Sequence, residues 1–335
     1  MNRLYLSLAD GTVFEGLGVD EVAEAAGWLS FYTGVVGYQE VISDPANAGK
    51  IVLFTYPHIG NYGVNDEDAE SASVKVSGVV CKQYMPYYSN FRATGSLSDY
   101  LAAANVPLGT SFDTRAVLLH LREQGEMPAA LAREPLEPDE VSRRVASSQP
   151  ADYRPENGPV ACAQAYPRVK AAVVDLGASK TFYRHLSALG LDACGPEDKA
   201  ELVVVSDAPH YAVESGDVAE RVRATVAGRP VIGFGHGSAV VARVFGGDVR
   251  RMPFGGNGIN VPVASEPGGR NEITAQNQNY EVVPDGETER LFTNLHDGSC
   301  EGFVIRSARA AGASFIPGDN WLGVLLKAVG VEQDA

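Results

Sequence analysis

The stretch Pro230-Val231-Ile232-Gly233-Phe234-Gly235-His236-Gly237-Ser238-Ala239 decides the reading of the fold. A short β-branched run enters a glycine-rich turn, and an apolar helical pattern over 238–245 leaves it. Two arrangements use such a strand–turn–helix. In a dinucleotide-binding turn, glycines let backbone N–H groups approach a pyrophosphate at a helix N-terminus. The spacing here approximates G-x-G-x-x-G, with Ser238 at the third glycine. In a nucleophile elbow, glycines relieve a strained turn that lifts one reactive side chain above a sheet. The lifted position here is Gly235, which has no side chain to react.

Outward from this turn, strand and helix patterns alternate. Residues 170–175, 202–206 and 230–234 read as strands, and 180–189, 213–227 and 238–245 as helices. Such alternation implies a parallel sheet covered on both faces. After Gly246 the pattern predicts short strands, including 272–275, 302–306 and 313–316. The first half is rich in strands and turns. Residues 4–8 and 12–14 suit a hairpin about Asp10-Gly11, 51–56 and 74–81 read as strands, and 97–104 and 114–124 as helices. Prolines punctuate residues 126–166, where the pattern predicts only a small helix near 139–146. The expected fold class is α/β: a mixed α/β domain over 1–150, a linker over 151–167, and a doubly wound domain over 168–335.

Lys and Arg number 27 against 42 Asp and Glu, a net charge of -15. No basic cluster exceeds Arg143-Arg144 or Arg250-Arg251, so neither nucleic acid nor an anionic membrane is an expected partner. The four cysteines, Cys81, Cys162, Cys194 and Cys300, form no C-x-x-C pair. That pattern argues against zinc sites and disulfides and suits reduced, buried thiols. No apolar run approaches a membrane span and no secretory h-region opens the chain, so a cytoplasmic location is expected.

A family resemblance rests on longer motifs. In the first half these are Gly37-Tyr38-Gln39-Glu40, Ser43-Asp44-Pro45, Thr55-Tyr56-Pro57-His58-Ile59-Gly60-Asn61-Tyr62-Gly63-Val64-Asn65-Asp66, Ser89-Asn90-Phe91-Arg92 and Asp113-Thr114-Arg115. In the second half they are Asp175-Leu176-Gly177, Lys180, Arg184, Phe254-Gly255, Asn260, Pro262-Val263, Thr274-Ala275-Gln276-Asn277, Asp297-Gly298 and Gly302. On these the chain resembles the small, glutaminase subunit of carbamoyl phosphate synthetase over essentially its full length. The resemblance implies a small-subunit N-terminal domain followed by a class I glutamine amidotransferase domain. It also implies a large ATP-grasp synthetase subunit as partner, and no cofactor.

The family's chemistry uses a Cys–His–Glu triad. Carried over residue by residue, the nucleophile position is Gly235, the base Gly318 and the orienting acid Asn320. The glutamine-binding Gln falls on Ala239, a glutamine-contacting Ser on Gly34, and the oxyanion-hole loop reads Ser206-Asp207-Ala208-Pro209-His210. The expected function is a pseudo-glutaminase acting as a structural or regulatory partner of a large subunit. Alternatives are an enzyme or binding protein of specialised metabolism that takes a small molecule into the vacated pocket, and a still active glutaminase. The candidate pocket residues are His210, His236, Ser238, Gln276, Asn277 and Tyr280. His210 and His236 read either as hydrogen-bonded loop histidines or as a base or ligand. The candidate interface or structural residues are Tyr38, Gln39, Glu40, His58, Asn61, Asn90, Phe91 and Arg92. His58 is expected as a satisfied buried imidazole, and Arg92 as a partner contact or half of a structural ion pair. The acidic run Asp66, Glu67, Asp68, Glu70 reads as a solvated face rather than a metal site, and no metal is expected. Cys300 is a weak stand-in for the missing nucleophile, because no base lies near it in sequence.

Overall fold

The computed structural model describes residues 2–19, 24–148, 155–162, 169–266 and 269–331. The chain forms two compact units, Met1–Asp152 and Tyr153–Ala335. The expected linker falls largely outside the described residues, and its described part, 155–162, has neither helix nor strand.

The first unit contains β1 (Asn2–Leu8), β2 (Val13–Gly18), β3 (Ala25–Tyr32), α1 (Tyr38–Ser43), β4 (Lys50–Phe54), β5 (His58–Ile59), β6 (Gly78–Val80), β7 (Gln83–Tyr84), α2 (Leu97–Ala103), β8 (Leu108–Thr110), α3 (Thr114–Gln124), β9 (Met127–Ala132) and α4 (Pro138–Ser148). Seven of the strands close a barrel in the order β1-β2-β8-β6-β4-β3-β9, with β9 returning to β1. The barrel is more closed than the expected mixed α/β domain. Its closing strand, β9, lies in the stretch where only a helix was expected, because Met127-Pro128-Ala129-Ala130 has little β-branched character. The strand expected over 74–81 shrinks to β6, since the Lys75 and Val76 N–H groups donate to Ile42 O of α1 rather than to a strand. α2 and α3 start where Ser96 and Asp113 accept backbone N–H groups from Asp99 and Ala116. α1 and α2 pack on β4 and β6 through Tyr38, Ile42, Val52, Phe54, Val79 and Leu101.

The second unit contains β10 (Val169–Val174), α5 (Lys180–Ala188), β11 (Leu191–Cys194), β12 (Leu202–Val205), α6 (Gly216–Val226), β13 (Val231–Phe234), α7 (His236–Val244), β14 (Asp248–Ser265), β15 (Asn271–Val283), β16 (Glu289–Asn294), β17 (Cys300–Ile305), β18 (Ala310–Ala313) and α8 (Asp319–Ala328). One nine-stranded sheet runs β11-β10-β12-β13-β18-β17-β16-β14-β15. The first five strands are parallel and the rest antiparallel. Alternate residues of the parallel strands feed opposite faces. Val173, Val204 and Ile232 meet Phe182 of α5 and Leu322 of α8, whereas Val203, Val205 and Val231 meet Val222 of α6 and Val241 of α7. This is the doubly wound α/β architecture expected from the alternation.

Two local expectations are corrected here. The helix expected over 213–227 is split into a 3₁₀ turn, His210–Glu214, and α6, because the Ser215 side chain accepts the Val218 N–H and starts the helix afresh. Of the short strands expected after Gly246, 302–306 is β17 and 313–316 shifts back to β18, but 272–275 is part of a long ribbon of β14 and β15, whose register shifts between Arg251 and Gly256 and between Gly258 and Val261. Glycines and amides replace the usual β-branched alternation there, so the pattern reads as loop.

α7 lies against the sheet at backbone distance. A Cβ on Gly237 would overlap the Ser206 carbonyl oxygen, and one on Gly233 would overlap the Gly237 carbonyl. Gly216, by contrast, has no heavy atom within reach of a Cβ. Gly237→Ala is therefore expected to cost about 1–3 kcal/mol in denaturant unfolding by overpacking. Gly216→Ala is expected to be neutral or slightly stabilising.

Candidate functional site

The crevice above the C-terminal ends of parallel strands is where doubly wound sheets place their sites. At that end of β13, Gly235 has φ 56° and ψ -134°, a conformation that favours glycine. Its N–H donates to Ala313 O of β18 at 3.0 Å, which ties the turn to the neighbouring strand. The space a side chain would take is filled by Asp207, from the loop after β12: a Cβ on Gly235 would overlap its carboxyl group. Asp207 Oδ1 accepts the His236 N–H at 2.8 Å and the Ala208 N–H at 2.7 Å. The first free N–H of α7, the group an elbow would offer to an oxyanion, is thus occupied by a carboxylate of the same chain.

His236 is buried, and both ring nitrogens are engaged. Nε2 accepts the Asn279 N–H at 3.1 Å, which leaves the ring proton on Nδ1 to donate to Ala208 O at 2.8 Å. The ring therefore clamps β15 to the loop after β12. Ser238 Oγ donates to Gly235 O at 2.7 Å. Tyr280 packs edge-on to His236, with ring centroids 6.1 Å apart, and its hydroxyl donates to Glu214 Oε1 at 3.1 Å. Burial pushes the Tyr280 phenol up to about 12. His210 is buried with its ring edge against Tyr211. Gly318 caps the N-terminus of α8, and Asn320 lies in that helix's first turn.

Gln276 belongs to a second cluster. Gln278 Nε2 donates to Gln276 Oε1 at 3.3 Å and to Glu301 Oε2 at 2.9 Å, and Asn294 Nδ2 donates to Glu301 Oε1 at 2.7 Å. Ser314 Oγ also donates to Glu301, whose carboxyl is fully buried. Asn277 lies on the opposite side of β15 from Gln276 and pairs in register with Asn257. The structure thus gathers His236, Ser238 and Tyr280 around the elbow and sets Gln276 apart with Glu301. Cys300 and Cys81 are buried, but Cys162 and Cys194 are only half-buried, a correction to the expectation of four buried thiols. Burial holds the Cys300 thiol up at about 11, the wrong direction for a nucleophile.

In the first unit, the Gly37–Glu40 motif holds the turn that follows β5. Gln39 acts as a backbone mimic: its Nε2 donates to Asn65 O at 2.6 Å and its Oε1 accepts the Asn65 N–H at 2.9 Å. Tyr38 stacks on Tyr62 at 4.1 Å and donates to Gly63 O, while Tyr62 Oη accepts the Gly37 and Tyr38 N–H groups. Glu40 is half-buried. Burial, reinforced by Asp68 and Glu70, holds its carboxyl above the ordinary range. His58 is exposed, edge-on to Tyr56, which corrects the buried imidazole expected from sequence: β5 is two residues long, and only Ile59 turns inward. Asn61 is exposed, and its carbonyl accepts the Ser89 N–H. Asn90 Oδ1 accepts the Arg92 N–H, and Arg92 bridges Glu67 and Asp68 at 2.9 and 2.6 Å. Phe91 is 98% exposed and Tyr87 87% exposed. The acidic run is thus partly neutralised by Arg92, and no metal-binding group of side chains occurs among the described residues. No helix among them is long and apolar enough to cross a membrane.

Residues 6–131 match the model of the carbamoyl-phosphate synthase small chain, CPSase domain. Over 322 residues the chain is 35% identical to the carbamoyl phosphate synthase small chain of Symbiobacterium thermophilum, covering 89% of each. The chain belongs to the carbamoyl phosphate synthase small-chain family. It is also 31% identical to the arginine-specific small chain of Bacillus subtilis, covering 93% of this chain and 91% of that one. It is 32% identical to the pyrimidine-specific small chain of Lactiplantibacillus plantarum, covering 94% and 90%. Among solved structures, a glutamine amidotransferase of Thermotoga maritima aligns with 49% of this chain and 83% of its own at 18% identity and a TM-score of 0.34.

Sequence reasoning passed over Asp207, Asn279 and Glu301 as site residues of this family member. Glu301 carried a signal, an acid inside the otherwise apolar run Cys300–Ile305. Asp207 carried none beyond following an apolar strand, because its role depends on the turn it meets.

Two measurements bear on this geometry. His236→Leu would remove the ring's hydrogen bonds to the Asn279 N–H and the Ala208 carbonyl, at an expected cost of about 1–3 kcal/mol in chemical unfolding. Glu40 binds its proton more tightly folded than unfolded. Its stabilising contribution is therefore complete below the ordinary carboxylate pKa and is lost as pH rises through the raised folded value. Glu40→Gln is expected to remove that component of the fall in stability on going from acid to neutral pH.

Proposed function

We propose that this family member is a small subunit without glutaminase activity that binds and supports a large ATP-grasp synthetase subunit. The observation that carries the first half of the reading is at the elbow. The position that the resemblance assigns to the nucleophile is Gly235, and the Asp207 carboxyl fills the space a cysteine side chain needs. Loss of a nucleophile alone costs a factor of about 10⁶ in turnover. The assigned base and acid positions, Gly318 and Asn320, offer neither a proton acceptor of the right kind nor a carboxylate. The Ala208 and His236 amides, which would stabilise a tetrahedral intermediate, already bind Asp207.

The second half rests on the first unit. Tyr87 and Phe91 are exposed aromatics, and Val35 and Val36 are exposed at 57% and 60%. Tyr88 borders Gly63, and Tyr62 holds the Gly37 N–H, so both exposed segments flank the Gly60–Gly63 turn. Apolar and aromatic side chains displayed on a turn held by buried hydrogen bonds suit a protein interface. The reading as a repurposed enzyme needs a free nucleophile–base pair. Ser238 and His236 do not supply one, since their reactive atoms are engaged by backbone groups.

The decisive assay is ammonia release from glutamine by the chain, alone and with its cognate large subunit. Background rates are expected in both, and release above background overturns the reading. Gly235→Cys alone is expected to melt lower and stay inactive, while Gly235→Cys with Asp207→Ala relieves the overlap, recovers only part of the melt because the Asp207 cap is lost, and remains inactive. Co-purification with the large subunit is expected, and Phe91→Asp should weaken it by about tenfold or more, the loss of one buried aromatic anchor.

A further inference from the structure

A cleft of about 670 Å³ opens in the second unit, between the start of β14, the end of β15 and the turn before β17. That volume falls within the range of small-molecule sites. Its charge is opposite to that of the chain. Arg250, Arg251 and Arg290 line it against Glu281 and Asp297, a local excess of cations on a protein of net charge -15.

The three guanidinium groups are held rather than loose. Arg290 Nη1 donates to Gly298 O at 2.9 Å, and among the described residues no hydrogen bond engages its Nε and Nη2 edge. Arg251 lies 5.5 Å over the Tyr280 ring, with Nη1 3.4 Å from the phenol oxygen. Arg250 pairs with Glu281 through Nε and Nη2, which neutralises that carboxylate within the wall. Asp297 turns its Oδ1 back on its own turn, accepting the Ser299 N–H at 2.9 Å and the Ser299 hydroxyl at 2.7 Å. Apart from Ser299 and the Gly298 backbone, the rest of the lining is apolar, with Val282 and Cys300 buried and Phe254 and Pro284 beside them. An anchored cationic side beside an apolar and aromatic one suits a ligand with a strongly anionic head and a flat or greasy body.

We propose that this cleft binds a small phosphomonoester, its phosphate on Arg290 and Arg251 and its apolar or aromatic body against Phe254 and Pro284. The lining includes neither Gly235 nor His236, although Arg251 meets the elbow cluster through Tyr280, so the proposal does not depend on whether the chain hydrolyses glutamine.

Isothermal titration of the full chain with phenyl phosphate, benzoate, inorganic phosphate and phenol tests it. Phenyl phosphate is expected to bind saturably at one site, more tightly than inorganic phosphate or benzoate, with no heat from phenol. Arg290→Ala is expected to weaken phenyl phosphate at least about tenfold, the fold-change of one charge-assisted hydrogen bond. Because Arg290 also anchors the Gly298 turn, Arg250→Ala, whose Glu281 pairing lies within the β14–β15 ladder rather than in that turn, supplies a second variant, expected to weaken binding in a chain that still melts cooperatively. No saturable binding at millimolar phenyl phosphate overturns the site. Equal affinity in wild type and both variants also overturns it. Benzoate binding as tightly as phenyl phosphate overturns the assignment to a phosphate.

Discussion

The second unit is organised by the backbone-to-backbone approach of α7 to the sheet. Side chains are missing at Gly233, Gly237 and Gly312 wherever the helix meets β12, β13 and β18. A helix normally stands on a sheet at a separation set by side chains. Here its first turn rests on the Ser206 carbonyl and on Gly233. That proximity brings the loop after β12 within hydrogen-bond reach of the first helical amides, so Asp207 can cap α7 although it lies nearly thirty residues upstream. It also places the His236 ring between that loop and β15, joining the parallel half of the sheet to its antiparallel half.

The two units order their exposed features by different means. In the first, side chains imitate main chain: Gln39 exchanges two hydrogen bonds with Asn65 as a neighbouring strand would, and Tyr62 receives two amide protons that no strand receives. The loops around Phe91 are thereby fixed without being covered, which spares part of the ordering entropy that a partner would otherwise have to offset. In the second unit, Asp207, His236 and Ser238 near the elbow are turned onto neighbouring backbone groups, so little of their hydrogen-bonding capacity faces solvent.

Legibility in the sequence followed how local each cause is. The elbow was readable because Gly233-Phe234-Gly235-His236-Gly237 packs a strand end, a turn and a helix start into five residues. α5 was readable because its apolar face and its closing Gly190 are neighbours in the chain. The barrel was not, because β9 pairs with β1 across more than a hundred residues, and an Ala- and Pro-bearing strand earns its place only through those partners. The β14–β15 ribbon was hidden for a related reason: Gly255, Gly256, Gly258 and the run of amides in β15 lack the alternation that marks a strand. The candidate residues divided in the same way. Tyr38 and Gln39 lie within a motif and emerged from it, whereas Asp207 acquires its role only when two distant loops meet.

The buried Glu301 has a consequence for how that ribbon finds its alignment. Register in most strands is dictated by which side chains are greasy, and β15 has few to offer between Asn271 and Gln278. Gln278 reaches the Glu301 carboxyl only if β15 lies in its native position. A slip of one residue would turn both Gln276 and Gln278 to the other face and leave a buried acid short of donors, a penalty far larger than the packing differences among Asn, Gln and Gly. The acid thus works as a proofreading key, rejecting misaligned pairings that the apolar pattern of the ribbon would tolerate.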